Sequence, residues 1–331
     1  MGEKMRRITI LGTGAYGLSL ALMFHKKQNK IKMWTKFEEE QQLLKTTRKN
    51  EKLLPGIVIP EDIQFTCSLE QAVSNAELIV IALPAAVVDS VMQKLKPFVT
   101  KEQSFLIASK AIDHNECKLL NQVVVSYFKE CPIAVISGPT FAKDMASNNP
   151  VGLSLAGTTE EVVSLVKTCL ESDTVKLRKS NDLLGLEICG SFKNVIAIAS
   201  GIIAGMGYPD STKAMFITES MHDVKRIIQG FGGNDRTIMS FAGFGDILMT
   251  CTSTNSRNFT LGKLIGERKS EKEIMEYLST HTVEGYETLQ TFHFLLNKQG
   301  ITIPLIECIY LIVNDHADPS LLIDWLVGVK E

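Results

Sequence analysis

The sequence lacks paired cysteines, which mark disulfide-stapled and zinc-binding proteins. Its seven cysteines are scattered and odd in number, and none forms a C-x-x-C pair. This spacing argues against a disulfide framework or a structural zinc site and suits a reducing compartment. An excess of one charge is absent too, since 35 Lys and Arg residues stand against 37 Asp and Glu, for a net charge of −2. The composition therefore gives no electrostatic case for nucleic acid or an anionic membrane surface, and any basic site must be local.

Long hydrophobic runs are also missing. No uninterrupted apolar stretch approaches the roughly 18 residues of a membrane-spanning helix. Residues 1–7 lead directly into a short apolar segment, and they lack the apolar core and small-residue cleavage site of a secretory signal. We therefore expect a cytoplasmic protein without an integral membrane segment.

The chain's 331 residues are enough for two domains, and its pattern changes near residues 180–186. Before that point, short apolar runs alternate with helical patterns, which is typical of a doubly wound, mostly parallel sheet covered on both faces. The predicted strands are 7–11, 31–34, 78–83, 105–108, 134–137 and 153–156, and the predicted helices between them include 16–25, 86–95 and 117–127. Long helical segments follow, at 186–205, 213–229, 259–265, 271–278, 286–297 and 305–314. The sequence thus predicts an α/β domain over residues 1–183 and an all-α domain over residues 184–331.

A G-x-G-x-x-G motif occupies residues 12–17, directly after the first predicted strand and at the start of a helix. In this context the first glycine allows a tight turn, the second admits a pyrophosphate, and the third lets the helix pack on the strand. A purely structural glycine turn is the alternative. The motif predicts a Rossmann-like dinucleotide-binding domain, with its candidate cofactor residues at Gly12, Gly14, Ala15, Tyr16 and Gly17.

The end of the second predicted strand bears on which dinucleotide is used. An NAD enzyme usually carries an Asp or Glu there for the ribose 2′-hydroxyl, but this chain has Thr35 and Lys36, with no acid before Glu38. These residues suit a 2′-phosphate better, so we expect NADPH, with NADH as the other candidate. Alternatively, Lys36 is a solvated loop charge.

Lys193 stands almost alone as a charge in the apolar run 188–205. A buried ammonium costs several kcal/mol without a partner. At helical spacing, Ala197, Gly201 and Gly205 share its face and form a stripe of small residues. Another backbone, such as that of the neighbouring domain, or a ligand could approach this stripe closely. A lysine that snorkels at a helix end, or one half of a structural ion pair, is the alternative.

With the second domain added, the chain resembles the bacterial-type NAD(P)-dependent glycerol-3-phosphate dehydrogenases over nearly its whole length. The motifs that carry the resemblance lie in the same order as in that family, at residues 12–17, 54–56, 109–113, 137–142, 185–195, 243–247, 250–258 and 284–285. The resemblance implies reversible reduction of dihydroxyacetone phosphate to sn-glycerol 3-phosphate for glycerophospholipid synthesis. It also implies a homodimer formed through the helical domain.

The resemblance assigns roles to individual residues. Lys193 matches the catalytic lysine, and reduction of a ketone does need a proton donor at the developing alkoxide. Asp246 follows a predicted Gly-x-Gly turn at residues 243–245, matches a substrate position and is a candidate ion-pair partner for Lys193. By the same resemblance, substrate contacts are expected at Lys110, Gly138, Thr140, Lys193, Asp246, Ser256, Arg257 and Asn258, and further cofactor contacts at Lys110, Ala142, Arg257 and Glu284. Ser256, Arg257 and Asn258 precede a helical segment, where capping groups, N–H donors and a guanidinium would suit a phosphate. A capped helix with a surface arginine is the alternative reading of those three residues.

The chain departs from the family pattern at several positions. Ala111 stands where glycine is usual, which would cost about 1 kcal/mol if that residue has a positive φ. Thr140 replaces a serine and keeps the hydroxyl. Ser211 replaces an asparagine, and Glu219 reverses the charge of an arginine. Thr140 is itself a proposed substrate residue, and the other changes leave the proposed site residues intact.

Two other functions compete with this interpretation. A related two-domain dehydrogenase acting on a hydroxy acid would need an anchor for a carboxylate, whereas Lys110 with residues 256–258 suits a phosphate dianion. A dinucleotide-binding sensor without dehydrogenase activity is the second alternative, and retention of Lys193, Asp246 and Arg257 together argues against it, because a silent copy has no need for buried charges.

Overall fold

A computed structural model describes residues 5–110, 112–114 and 116–328. The chain divides into two compact units, one formed by Met1–Asp113 with Lys118–Leu183 and the other by His114–Cys117 with Leu184–Glu331. The short segment from 114 belongs to the second unit because His114 contacts it, with Nδ1 2.6 Å from Thr291 Oγ1. Ala111, where the sequence raised the question of a strained φ, lies outside the described residues.

An eight-stranded sheet forms the centre of the first unit, in the order β10-β9-β8-β5-β4-β1-β2-β3. All neighbouring strands pair in parallel except β8 and β9, which are antiparallel. The strands of the sheet are β1 (Arg7–Leu11), β2 (Lys30–Trp34), β3 (Gln64–Thr66), β4 (Leu78–Ile81), β5 (Ser104–Ile107), β8 (Ile133–Ser137), β9 (Val151–Gly157) and β10 (Val175–Lys179). A separate two-stranded ribbon consists of β6 (Ile112–Asp113) and β7 (Lys118–Leu119).

Helices cover this sheet because its central strands are apolar on both faces. Every residue of β4, β5 and β8 is buried, whereas the edge strand β10 exposes alternate residues. The helices of the first unit are α1 (Ala15–Lys26), α2 (Glu38–Thr47), α3 (Leu69–Val73), α4 (Ala85–Leu95), α5 (Leu120–Tyr127), α6 (Ala142–Ala146) and α7 (Glu160–Leu170). Strand order reverses on either side of β1, so the crevice at the carboxyl ends of β1 and β4 is where ligands bind in such sheets.

Every regular element that the structure describes in the second unit is a helix. Its α-helices are α8 (Leu183–Gly205), α9 (Asp210–Gly230), α10 (Asp246–Thr252), α11 (Arg257–Gly266), α12 (Glu271–Thr280), α13 (Glu284–Lys298), α14 (Pro304–Asn314) and α15 (Leu321–Val327). A 3-10 helix, Asp235–Met239, and a π-helical turn, Phe241–Gly245, connect α9 to α10. The predicted order, an α/β sheet domain followed by a helical domain, is confirmed.

The central helix of the second unit is α8. Nineteen consecutive positions, from Gly185 to Ile203, are buried, and each fully buried large apolar side chain contributes about 1.5–3 kcal/mol. By length and mean hydropathy α8 is the one described helix that could cross a membrane, although its charges interrupt the apolar run. Because 89% of its most apolar window is buried inside the protein, α8 is a core helix.

Candidate active site

The glycine-rich turn between β1 and α1 has the backbone geometry that a dinucleotide needs. Gly12 has a φ of +110°, and a Cβ at this residue would lie 2.5 Å from the carbonyl oxygen of Ala82. A Cβ on Gly17 would overlap the carbonyl oxygen of Gly12, so only glycine lets α1 pack so closely on the turn. At Gly14 an added Cβ would meet no described atom within 4 Å. The turn is therefore tightly packed at Gly12 and Gly17 but open at Gly14, where the N–H groups that begin α1 can receive a pyrophosphate.

Lys110, Gly138 and Thr140, three of the predicted substrate residues, lie together in the first unit. Lys110 Nζ donates to the carbonyl oxygen of Gly138 at 2.6 Å and lies 3.5 Å from Thr140 Oγ1. The same ammonium lies 5.6 Å from the centroid of the Tyr16 ring, a residue of the glycine-rich turn. Strand β5 ends at Ile107, and Lys110 follows the strand by three residues. The structure thus places a lysine next to both the glycine-rich turn and the loop after β8.

Ala142 is tied to the same region by its backbone. It begins α6, and its carbonyl oxygen lies 2.7 Å from Ser19 Oγ, which is also 2.8 Å from the carbonyl oxygen of Ala15. Ser19 is fully buried in α1. A single hydroxyl therefore holds the start of α6 against the helix that follows the glycine-rich turn.

The residues after β2 differ from the prediction. Thr35 is 3% exposed, and its hydroxyl donates to Glu40 Oε2 at 2.5 Å. The single proton of that hydroxyl is therefore used within the protein, and Thr35 cannot also donate it to a 2′-phosphate, as the sequence had suggested. Lys36 is exposed, and no described residue forms a hydrogen bond or ion pair with its side chain.

In the second unit, Lys193 pairs with Asp246. The Lys193 Nζ and Asp246 Oδ1 atoms are 2.6 Å apart, and the two side chains are 9% and 0% exposed. Thr250 donates to the backbone oxygen of Asp246 at 2.6 Å, and its hydroxyl lies 3.4 Å from Asp246 Oδ1. The predicted pairing is therefore present, as a charge-assisted contact largely shielded from water.

Asp246 is held by a segment that the sequence suggested was a simple Gly-x-Gly turn. That interpretation was wrong, because Gly243 and Gly245 belong to a π-helical turn that runs directly into α10, whose first residue is Asp246. A Cβ on Gly243 would overlap the backbone of Ile238. Glycine is required at 243 for close packing against the preceding 3-10 helix, and this packing fixes where α10 starts. Burial raises the pKa of the Cys251 thiol in the same helix, so this neighbour of the ion pair stays neutral.

The start of α11 consists of Ser256, Arg257 and Asn258, which differ in burial and in hydrogen bonding. Ser256 is the N-cap, and its Oγ accepts a hydrogen bond from the Phe259 N–H at 3.2 Å. Arg257 is exposed, and no described carboxylate pairs with its guanidinium. Asn258 is buried. The arrangement leaves one cation at a capped helix N-terminus, where a phosphate group would find both charge and dipole complementarity.

The buried Asn258 side chain belongs to a network that sequence reasoning missed. Its Nδ2 donates to Asn194 Oδ1 at 3.0 Å, and its Oδ1 accepts from the Gly285 N–H at 2.9 Å. Asn194 Nδ2 in turn lies 3.4 Å from Glu284 Oε2. Because Asn194 follows Lys193 directly, the network ties the lysine helix to the starts of α11 and α13. A second polar residue beside the lysine in an apolar helix was the signal that could have found it.

The stripe of small residues below Lys193 is occupied by α11. Side chains added at Gly201 or Gly205 of α8 would overlap the α11 backbone, and side chains added at Gly262 or Gly266 of α11 would overlap the α8 backbone. The expected close approach of another backbone is therefore confirmed, and that backbone belongs to α11 of the same unit instead of to the neighbouring domain. The stripe serves to bring α11, with Ser256 and its neighbours, close to the lysine helix.

Comparison with known proteins identifies the family. Family models described as the N-terminus and the C-terminus of NAD-dependent glycerol-3-phosphate dehydrogenase match residues 7–163 and 182–324. The glycerol-3-phosphate dehydrogenase (NAD(P)+) of Actinobacillus pleuropneumoniae serotype 5b is 33% identical over 92% of this chain and 90% of its own length. That of Clostridium acetobutylicum is 31% identical, with coverage of 96% and 95%.

A solved structure extends the match to three dimensions. The glycerol-3-phosphate dehydrogenase of Coxiella burnetii superposes with a TM-score of 0.92 at 29% identity, covering 98% of this chain and 99% of that one. Sequence and fold therefore agree over both units. We conclude that the chain belongs to the NAD-dependent glycerol-3-phosphate dehydrogenase family and is an NAD(P)-dependent oxidoreductase.

Proposed function

We propose that this protein reversibly reduces dihydroxyacetone phosphate to sn-glycerol 3-phosphate, with Lys193 as the general acid and base. The observation that carries the proposal is the buried contact of 2.6 Å between Lys193 Nζ and Asp246 Oδ1. Bound NAD(P)H supplies the hydride. The product would serve glycerophospholipid synthesis, as the family resemblance implies.

The roles of Lys193 and Asp246 follow from charge. When hydride reaches the carbonyl carbon, negative charge develops on the carbonyl oxygen, and a nearby ammonium both stabilises this oxygen and gives it a proton. Asp246 supplies a counter-charge and orients the ammonium inside a site where an isolated cation would be costly. In the direction of oxidation, the neutral amine of Lys193 takes the hydroxyl proton back.

Recognition of the substrate phosphate is proposed for the start of α11. Arg257 offers a planar pair of donors that fits two phosphate oxygens, and Ser256 caps the same helix end. The buried contacts of Asn258 support a positioning role for its side chain, which holds the start of α11 against Asn194. Lys110, Gly138 and Thr140 remain proposed substrate residues on the strength of their mutual contacts.

The cofactor proposal rests on the first unit. The open position at Gly14 and the start of α1 suit a pyrophosphate, and Ala15, Tyr16, Lys110 and Ala142 surround that turn. Exposed Lys36 supports use of NADPH, with NADH as the other donor. Cofactor roles for Arg257 and Glu284 stay predictions from the family resemblance, as does a homodimer of twice the 36.6 kDa chain mass.

The test is a substrate panel followed through oxidation of NADPH and, separately, NADH. We expect turnover with dihydroxyacetone phosphate, and at least about 10²-fold lower kcat/KM with dihydroxyacetone, because that ketone lacks the phosphate that anchors it. A 2-oxo acid such as pyruvate is the control for hydroxy-acid chemistry. A purified protein that binds dinucleotide but reduces none of these compounds would support the sensor, and preference for pyruvate would support the hydroxy-acid enzyme.

A further inference from the structure

The carboxylate of Glu40 joins two turns at the carboxyl edge of the sheet. Its Oε2 accepts a hydrogen bond from Thr13 Oγ1 at 2.7 Å and from Thr35 Oγ1 at 2.5 Å. Thr13 lies in the glycine-rich turn and Thr35 follows β2, and both are at least 95% buried. The two turns are also joined by the backbone, since the Gly12 N–H donates to the Trp34 oxygen at 2.9 Å. Glu40 is therefore fixed where the first and second strands end.

The geometry leaves one carboxylate oxygen for a ligand. Both threonine hydroxyls donate to Oε2, and no described residue donates to Oε1. Two donors on one oxygen hold the carboxylate in a single orientation. Because Glu40 is only partly buried, Oε1 remains reachable. The side chain thus offers a fixed, negatively charged acceptor.

This acceptor lies in the region of a doubly wound sheet that meets the adenosine ribose, beside the end of the second strand. An acidic side chain in that region accepts a hydrogen bond from a ribose 2′-hydroxyl and repels a 2′-phosphate. In sequence Glu40 comes six residues after the end of β2, in the first turn of α2. It was therefore missed when only the residues at the end of the strand were considered. Glu38 and Glu39 stand in the same turn, so Lys36 is outnumbered by carboxylates.

We propose that Glu40 is a specificity-determining residue for the dinucleotide, which binds the ribose 2′-hydroxyl of NADH and weakens binding of the 2′-phosphate of NADPH. The inference rests on the proposed function, because it requires a dinucleotide at the glycine-rich turn. Glu40 and Lys36 then act in opposite directions. Lys36 raises the affinity for the 2′-phosphate of NADPH, and Glu40 accepts a hydrogen bond from NADH that Lys36 alone would not provide.

The test measures binding without turnover, using two cofactor fragments. Isothermal titration calorimetry gives the affinity of the full-length protein for ADP-ribose and for 2′-phospho-ADP-ribose. We expect Glu40→Gln to shift the ratio of the two affinities toward the 2′-phosphate by about tenfold or more, since the variant loses a charged acceptor and a repulsive charge together. Lys36→Ala should shift the ratio the other way.

The matched control is Glu39→Gln, which removes one negative charge from the same helical turn without a bond to Thr13 or Thr35. This variant should change the ratio by less than about threefold, because an exposed charge acts through solvent and salt. Thr35→Val is a second variant that frees one side of the carboxylate. It should shift the ratio in the same direction as Glu40→Gln, although less far.

The possible outcomes separate the inference from the proposed function. If both fragments bind the wild type and Glu40→Gln leaves their ratio unchanged, the role of Glu40 is wrong and the proposed function stands. An equal shift in Glu39→Gln would also overturn it, because general charge would then explain the effect. If neither fragment binds the wild type, the dinucleotide site itself is wrong, and the inference falls with it.

Discussion

Lys193 and Asp246 show how a single buried charge is kept in an apolar helix. The lysine side chain is 9% exposed and the aspartate side chain fully buried, so each alone would carry a desolvation penalty of several kcal/mol. The contact between them offsets part of that penalty, and Thr250 supplies a further hydroxyl near the carboxylate. A buried ion pair contributes little net stability, yet removing one partner is costly. A role in catalysis therefore explains this pair more easily than a role in packing.

The first prediction at this scale concerns the aspartate. Asp246→Asn keeps the shape of the side chain and removes the buried carboxylate charge that lies 2.6 Å from Lys193 Nζ. We expect the free energy of unfolding, measured by urea titration, to fall by about 3–5 kcal/mol, the usual cost of removing one partner of a buried pair.

The control for that variant is Thr250→Val, which keeps both charges and removes one hydroxyl. It should lower the free energy of unfolding by no more than about 1.5 kcal/mol, the upper end for one ordinary hydrogen bond. Equal losses in the two variants would contradict the account, because the ion pair would then contribute no more than a hydroxyl contact.

A second residue-scale prediction concerns Asp223 in α9. Burial raises the pKa of this carboxyl. Nearby Arg226 opposes that effect, and the charge of Glu219 adds to it. Because the pKa of Asp223 is higher in the folded protein, its protonated form favours folding. This contribution to the free energy of unfolding is complete below the ordinary pKa of 3.8 and is lost as the pH rises through the folded-state pKa. Asp223→Asn should therefore raise Tm relative to the wild type more at pH 7 than at pH 3.5, by about 2–4 °C for each kcal/mol recovered.

Asp210, at the start of the same helix, gives the opposite case. A hydrogen bond from Lys213 lowers the pKa of Asp210. The contribution of the ionised carboxylate to the stability of the fold is therefore present above the ordinary pKa and is lost as the pH falls through the folded-state pKa. Asp210→Asn should lower Tm at pH 7 and have less effect at pH 3.5. If both substitutions changed Tm relative to the wild type in the same direction, the effect would come from helix propensity and not from ionisation of the two carboxyls.

At the scale of elements, the contact between α8 and α11 determines where the phosphate end of the proposed site lies. Glycines on both helices remove the side chains that would keep the backbones apart. The sequence predicted the small stripe on α8 and could not identify its occupant, because periodicity shows which face is small and says nothing of what packs on it. The same contact brings the start of α11 to Asn194, where Asn258 forms its hydrogen bond.

Gly262→Ala tests this contact. Its new methyl group would overlap the Ile198 carbonyl, so α11 must move away from α8. We expect the free energy of unfolding to fall by about 1–3 kcal/mol, which exceeds the gain of about 1 kcal/mol in helix propensity. The KM for dihydroxyacetone phosphate should rise as well, since Arg257 shifts with its helix.

Lys263→Ala is the control, since this neighbouring side chain of α11 is half exposed. Its effect on stability should stay within about 0.5 kcal/mol, as for most surface substitutions. An unchanged stability and KM in Gly262→Ala would contradict the role of the contact.

For the whole molecule, long elements were predictable and short ones were not. The first strand matches its prediction, Arg7–Leu11, and α8, α9 and α13 differ from theirs by a few residues at their ends. Strand β3 has three residues and β10 carries Lys176, Arg178 and Lys179, so neither shows the apolar run of a central strand. The π-helical turn before Asp246 has no periodicity that a sequence pattern could display.

In the candidate site, too, some features were predictable from the sequence and others were not. Glycines with a backbone reason, such as Gly12 and Gly17, could be found from their spacing, because a tight turn and a close helix contact demand glycine. The partners of polar side chains could not be found, since the bonds that Glu40 makes to Thr13 and Thr35 depend on how two separate turns come together. Family resemblance supplied roles for matching residues, and it gave no role for a residue outside the motifs.

Lys193 is proposed to handle the proton of the reaction, and kcat with dihydroxyacetone phosphate is the quantity that depends on this role. Lys193→Ala is compared with Lys193→Ala/Asp246→Asn, which also removes the carboxylate that faces the lysine, and dinucleotide affinity checks that each variant is folded. We expect kcat to fall at least about 10²-fold in both variants while dinucleotide affinity is retained. A kcat close to that of the wild type in either variant would contradict this role.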